Sequence, residues 1–77
     1  MSKETFPNIG AAIRAARKKQ GLTQDQLGER IGVKKAQVSR MESGSHLTLP
    51  TIEKTFKALG ADTAHLDLGA LGRVKLW

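Results

Sequence analysis

The sequence predicts a mainly α-helical protein of four to five helices that ends in a short β-strand or hairpin. Apolar residues recur at helical spacing over residues 8–60, and glycines stand at the expected helix ends. From residue 61 onward the period changes to two, which is the period of a strand. We therefore divide the chain into a helical domain, residues 1–60, and a β tail, residues 61–77.

The first predicted helix begins with Asn8, whose side chain is suited to capping the free N–H groups of a helix. Ile9 and Ile13 follow at helical spacing, and Gly21 ends the segment. The opposite face is predicted to be strongly basic. It carries Arg14, Arg17, Lys18 and Lys19.

A second, short helix is predicted over residues 24–31. Thr23 and Gln26 have the spacing of a capping box, which satisfies two free N–H groups at a helix start. Gly32 stands where this helix has to end, since glycine adopts a left-handed conformation without steric cost.

A third helix, over about residues 35–42, has only a thin apolar stripe. Val38 and Met41 are its inward positions, and long polar side chains fill most of the rest. Lys34 and Lys35 stand at its start, where the positive end of the helix dipole disfavours a lysine. The segment therefore needs something negative opposite its first turn.

A fourth helix is predicted to begin after Thr48, which can cap it, with Pro50 in the first turn. Gly60 closes this helix. Its apolar face consists of Ile52, Phe56 and Leu59.

The tail alternates between apolar and polar residues in two short runs, joined by the predicted turn GALG. Ala64, Leu66 and Leu68 mark the first strand, and Val74 and Leu76 mark the second. An isolated hairpin is only marginally stable in water, and its free edge can pair with another chain. We therefore expect the tail to serve dimerisation or partner binding. Strand exchange across a dimer axis would stabilise the hairpin and cover its edge, but the sequence leaves open whether the strands pair within or between chains. The expected interface residues are Leu66, Leu68, Val74, Leu76 and Trp77.

Trp77, the only tryptophan, has two interpretations that the sequence leaves open. It can simply cover the apolar face of the tail. It can instead anchor a dimer or a partner protein, because tryptophan is enriched among the residues that dominate interface energies.

The composition favours a polyanionic partner. Thirteen Lys and Arg residues against seven Asp and Glu give a formal net charge of +6 and a pI near 10.2. Cysteine is absent, which excludes disulfides and thiolate zinc ligands. No apolar run is long enough to span a membrane, and no secretory signal is evident, so we expect a cytoplasmic protein without a membrane partner.

Two short helices joined by a glycine-containing turn form a helix-turn-helix, which presents its second helix to the major groove of DNA. Residues 24–41 resemble the helix-turn-helix of the phage-repressor and Cro type, also called the XRE family. The similarity covers about residues 8–60 and implies a lambda-repressor-like bundle. The matching apolar positions are Leu27, Ile31, Val33, Val38 and Met41, and the matching small positions are Gly28 and Gly32.

The resemblance implies that Lys35, Ala36 and Arg40 lie nearest to the base edges, with Gln37 at a flanking base or phosphate. Lysine and arginine suit guanine, glutamine suits adenine, and a methyl group suits thymine. Phosphates are expected to contact side chains around the two helix starts and along the third helix. These predicted phosphate contacts are Thr23, Gln24, Lys34, Ser39 and Ser43.

Two further positions acquire a meaning from the resemblance. The family often has serine or threonine where this chain has Lys34, so the third helix loses a side-chain cap worth about 1 kcal/mol. A DNA phosphate can offset that loss, although both lysines at this start can also be merely solvated. Arg17 and Glu42 match a family ion pair, which is either a structural link or an exposed pair worth under about 1 kcal/mol.

The leading hypothesis is a homodimeric, sequence-specific transcriptional repressor that binds double-stranded DNA at a palindromic operator through the major groove. The alternative is the antitoxin of a toxin–antitoxin operon, which binds a toxin protein and also represses its own promoter. The stretch LTLPTIEKTFKALGADTAHLDL and the terminal Trp77 resemble the HipB-like group of such antitoxins.

Catalysis, metal binding and a cofactor find no support in the sequence. It has no phosphate-cradling glycine loop, no nucleophile beside a base and no metal-ligand spacing. His46 and His65 are isolated and are expected to be surface polar residues. RNA binding stays open on charge alone, yet only two Phe and one Trp are present to stack on bases.

Overall fold

A computed structural model describes residues 6–77 and contains a helical bundle followed by a β-hairpin. This architecture confirms the predicted fold class. In chain order its elements are α1 (Pro7–Lys19), α2 (Gln24–Ile31), α3 (Lys35–Glu42), α4 (Leu49–Ala58), β1 (His65–Asp67), a 3-10 turn (Gly69–Leu71) and β2 (Arg73–Lys75).

Helix α1 begins one residue before the predicted cap, so the expectation that Asn8 caps it is wrong. Pro7 occupies the first turn and Phe6 is the N-cap residue, with no side-chain hydrogen bond to the helix. Proline is favoured there because its φ is preset and its missing N–H would be unpaired anyway. The backbone N–H of Phe6 donates to the carbonyl of Gly44 at 2.8 Å, which ties this helix start to the end of α3.

Helix α2 has both predicted end signals. The Gln26 N–H donates to Thr23 Oγ1 at 3.1 Å, and the Thr23 N–H donates to Gln26 Oε1 at 2.8 Å, which completes the capping box. Gly32 adopts the left-handed conformation with φ of 77°. Helix α3 lacks such a cap, since Lys34 is its N-cap residue and makes no side-chain hydrogen bond to it.

The core lies where α1, α2, α3 and the end of α4 meet. Its buried apolar side chains are Ile13, Leu27, Ile31, Val38, Met41 and Leu59. Close approach of backbones makes this packing possible at two glycines. A Cβ on Gly28 would lie 2.5 Å from the carbonyl oxygen of Val33, and one on Gly10 would lie 2.5 Å from that of Glu42.

Helix α4 packs against α2 and carries the expected cap, since Thr48 accepts a hydrogen bond from the Thr51 N–H at 3.3 Å. Within this helix Thr55 is completely buried, and its hydroxyl donates to the Thr51 carbonyl at 2.7 Å. That bond satisfies a polar group that would otherwise be costly to bury.

The tail is an antiparallel hairpin within one chain. Leu66 pairs with Val74, while His65 faces Lys75 and Asp67 faces Arg73, so apolar and polar pairs alternate as predicted. Strand β1 is therefore paired with β2 of the same chain, and exchange between protomers is not needed to pair these two strands. Each strand keeps one free edge. None of the helices described in residues 6–77 is long and apolar enough to cross a membrane.

Candidate nucleic-acid interface

Helix α3 presents its polar side chains outward because only two of its residues face the core. Val38 and Met41 are completely buried. On the other side Lys35, Ala36 and Arg40 are exposed. Gln37 is half-buried, and the remaining predicted contacts on or beside this helix, Lys34, Ser39 and Ser43, are exposed.

The start of α2 lies beside the start of α3. Thr23, Gln24 and Lys35 line one surface depression of about 450 Å³. The free N–H groups of the first turn of α2 make this end attractive to an anion. Asp25 lines the same depression, and its negative charge opposes the binding of an anion there.

Arg17 and Glu42 form an ion pair that joins the end of α1 to the end of α3. Arg17 Nε lies 2.6 Å from Glu42 Oε2, and Arg17 Nη2 lies 3.1 Å from Glu42 Oε1. Arg17 Nη1 also donates to the carbonyl of Leu22 at 2.8 Å. The side chains are only 10% and 5% exposed, so Arg17 does not belong to the exposed basic face on which the sequence placed it.

Gln24 is drawn into the same network. Its Nε2 donates to Glu42 Oε1 at 3.1 Å, so Glu42 receives hydrogen bonds from both α1 and α2. This contact fixes the amide of Gln24 at the start of α2, where the sequence predicts a phosphate contact.

The ion pair shifts the pKa values of both partners. Burial alone raises the pKa of Glu42, but hydrogen bonds from Arg17 and Gln24 and the nearby charges of Arg17 and Arg14 lower it more. The pKa of Glu42 therefore lies below its ordinary value. The hydrogen bond to Glu42 raises the pKa of Arg17, burial lowers it, and the Glu42 charge raises it, with a net increase.

The predicted interface residues of the tail separate into two groups. Leu66, Leu76 and Trp77 line an apolar groove of about 500 Å³ between the tail, α1 and α4. Leu68 and Val74 do not line it and remain 42% and 47% exposed. The other apolar residues of this groove are Ile9, Ala12, Ile52, Phe56, Ala61 and Ala64.

Trp77 is half-buried, and its Nε1 donates to the carbonyl of Ala61 at 3.2 Å. The indole thus covers part of the tail, as the simpler interpretation expects. Part of its surface stays accessible along the groove, where a second molecule can contact it.

Two residues near the site had no predicted role. Gly10 permits the close approach of α1 to the end of α3, but a single glycine within a helical pattern gives no signal of its contact. Arg14 lies beside Ser39 and Ser43 of α3. The sequence feature that could have indicated this position is that Arg14 lies three residues before Arg17, and so on nearly the same face of α1.

His46 and His65 are both exposed. His46 has a positive φ of 57° in the loop after α3, a conformation that histidine adopts more readily than most residues. Across residues 6–77, no group of three or more His, Cys, Asp or Glu side chains is placed to hold a metal ion.

Comparisons with known proteins identify the fold and the family. Two solved structures, titled "MDT Protein" and "Structure of HipA-HipB-O2-O3 complex", each align with 90% of this chain and 100% of theirs, at 28% identity and a TM-score of 0.68. No curated protein matches. A family model described as "Helix-turn-helix" matches residues 13–66, which include α2 and α3. The chain belongs to the XRE-type helix-turn-helix family of DNA-binding transcription regulators.

Proposed function

We propose that this protein is a homodimeric, sequence-specific repressor that binds a palindromic operator through the major groove and has no enzymatic activity. This proposal depends mainly on one observation: α3 has a buried apolar stripe on one side and an exposed polar row on the other. Val38 and Met41 hold the helix to the core, which leaves Lys35, Ala36 and Arg40 free to enter a groove.

The exposed row contains chemistry that can distinguish bases. Arg40 and Lys35 can donate to O6 and N7 of guanine, and Gln37 can make paired hydrogen bonds to adenine. The methyl group of Ala36 suits the methyl group of thymine. These four side chains carry the proposed base contacts.

The phosphate contacts surround this row. Thr23 and Gln24 stand at the start of α2, and Lys34 stands at the uncapped start of α3. A phosphate oxygen at α3 can accept from the free N–H groups that a capping side chain would otherwise satisfy. Ser39 and Ser43 extend the proposed contacts along α3, and the Ser43 hydroxyl would exchange its hydrogen bond to the Arg40 carbonyl for one to phosphate.

The proposed dimer forms through the tail. Leu66, Leu68, Val74 and Leu76 remain 39–47% exposed, which is unfavourable for a hairpin in water unless a second surface covers it. A two-fold axis would place two recognition helices in successive major grooves about 34 Å apart. Such a protein acts in the cytoplasm.

Selection from a random pool of DNA duplexes tests this function. We expect an inverted repeat to be enriched, with binding that weakens steeply as salt rises. Arg40→Ala should relax the preference at one base position per half-site by about 1–3 kcal/mol. Lys57→Ala removes one positive charge from α4, outside the proposed DNA contacts, and is the matched control. Absence of a preferred repeat would contradict the proposal.

A second candidate function is that of an antitoxin. The solved structure titled as a HipA–HipB–O2–O3 complex supports it, because this chain aligns with all of the matched chain. The apolar groove lined by Leu66, Leu76 and Trp77 offers a surface for a protein partner.

Co-purification with the product of the neighbouring gene tests the antitoxin function. Retention of that product by the natural chain, and its loss with Trp77→Ala, would support it. Leu71→Ala, which changes an 86% exposed residue outside the groove, is the control. If the chain binds DNA but does not bind the product of the neighbouring gene, it is a repressor only.

A further inference from the structure

A second polar depression, of about 310 Å³, shares Arg17 and Gln24 with the depression that contains Lys35. It is formed by three elements: the middle of α1, the start of α2 and the second half of α3. The residues that line it are Arg14, Arg17, Gln24, Ser39, Glu42 and Ser43.

The charge balance of this depression is positive. Glu42 is the only acidic residue that lines it, and both of its oxygens already accept hydrogen bonds from Arg17 or Gln24. Arg14 takes part in neither of the two ion pairs found in residues 6–77. Arg14 is exposed, and although its charge acts on Glu42, it forms no ion pair there.

Hydrogen-bond donors from separate elements meet around this space. Arg14 supplies a guanidinium from α1, and Ser39 supplies an exposed hydroxyl from α3. The amide of Gln24 keeps a second N–H beyond the one that it gives to Glu42. The hydroxyl of Ser43 donates to the carbonyl of Arg40 at 2.7 Å, so it contributes mainly lone pairs.

We propose that Arg14 binds a phosphate of the DNA backbone in this depression, which we call the α1 notch. This inference rests on the proposed binding of α3 in the major groove. The α1 notch and the depression at Lys35 share Arg17 and Gln24, so phosphates bound in both would hold α3 at two points. Guanidinium groups suit this role because they offer several donors to phosphate oxygens.

The salt dependence of binding to a mixed-sequence DNA duplex tests the α1 notch. Each lost phosphate contact reduces the magnitude of the slope of log binding constant against log salt concentration by about 0.9. We expect Arg14→Gln to lower the slope by about this amount for each protomer bound. Arg14→Lys should largely keep the slope, because the charge remains. Lys57→Gln, which removes the same charge from α4, should leave the slope unchanged.

A slope for Arg14→Gln equal to that for Lys57→Gln would overturn the assignment. Thermal unfolding of each variant is the folding control, and we expect each variant to be folded because the substituted residues are exposed. A reduced slope in a protein that selects no palindrome would keep the α1 notch and refute the proposed repressor. Binding of the natural chain that does not respond to salt would refute both.

Discussion

The helical part and the hairpin of this protein differ in how they treat their apolar side chains. Ile13, Leu27 and Val38 are completely buried, whereas Leu66 and Val74 are each 47% exposed. The helices therefore complete a core with their own residues. The hairpin pairs its strands but leaves an apolar face open, which is the property expected of a surface that meets another molecule.

The largest effect within the helical part is expected from Glu42→Ala. Removing one partner of a buried ion pair leaves Arg17 charged and unpaired, so the free energy of unfolding should fall by about 3–5 kcal/mol. Glu53→Ala breaks an exposed pair with Lys57 and should cost under about 1 kcal/mol. Denaturant unfolding measures both. Equal losses would show that the Arg17 pair is no more than a surface contact.

Two leucine substitutions should compare the helical core and the hairpin tail directly through the free energy of unfolding. Leu27→Ala creates a cavity in the core and should lower the free energy of unfolding by about 2–5 kcal/mol. Leu71→Ala shortens a side chain that is 86% exposed in the tail and should change it by about 0.5 kcal/mol or less. Comparable losses in thermal unfolding would mean that the tail contributes to the same core.

The Glu42 pair should also make the free energy of unfolding depend on pH. The loss of stability in acid should be smaller than the loss in Glu42→Ala, because a protonated carboxyl still forms hydrogen bonds. The pKa of Glu42 is lower in the folded protein than its ordinary value of about 4.5. Its contribution is therefore fully present above about pH 4.5 and is lost as pH falls through the lower folded value.

Unfolding curves across this acid range measure the effect, with Glu42→Gln as the variant. Glutamine cannot titrate, so the variant should lose less stability between neutral and acid pH than the natural chain. A parallel decline in both proteins would assign the acid sensitivity to other carboxylates.

A substitution at the start of α3 should have a smaller effect on stability and should change stability and DNA affinity in opposite directions. Lys34→Ser supplies the missing cap and should raise the free energy of unfolding by about 1 kcal/mol, while it removes one proposed phosphate contact and weakens DNA binding. Thr23→Ala, which removes an existing cap, should lower stability by a similar amount. A Lys34→Ser protein that binds DNA as tightly as the natural chain would show that this lysine is only solvated.

Local signals were enough to predict most of the fold. The Thr23–Gln26 capping box and Gly32 define α2 with contacts that span only a few residues, and the alternation of the tail predicts its hairpin. The start of α1 was missed because Asn8 and Pro7 give competing local signals. Proline decides the position, since its backbone suits the first helical turn.

The parts of the site that escaped prediction depend on contacts between distant residues. Helical spacing alone places Arg17 in a solvated basic run; its pairing with Glu42, 25 positions away, was predicted only from the family resemblance and is present in the structure. Gly10 matters only because α1 crosses the end of α3, and Arg14 only because α1 runs beside Ser39. A sequence pattern shows which residues share a helix face, but it does not show which face of another helix they meet.

The solution mass of the full chain, compared with that of a chain ending at Ala61, tests the central claim most directly. We predict a dimer for the full chain and a folded monomer for the shortened one, because the helical part has its own core and the tail supplies the interface. A shortened chain that is still dimeric, or a full chain that is monomeric at the concentrations where it binds DNA, would contradict this account.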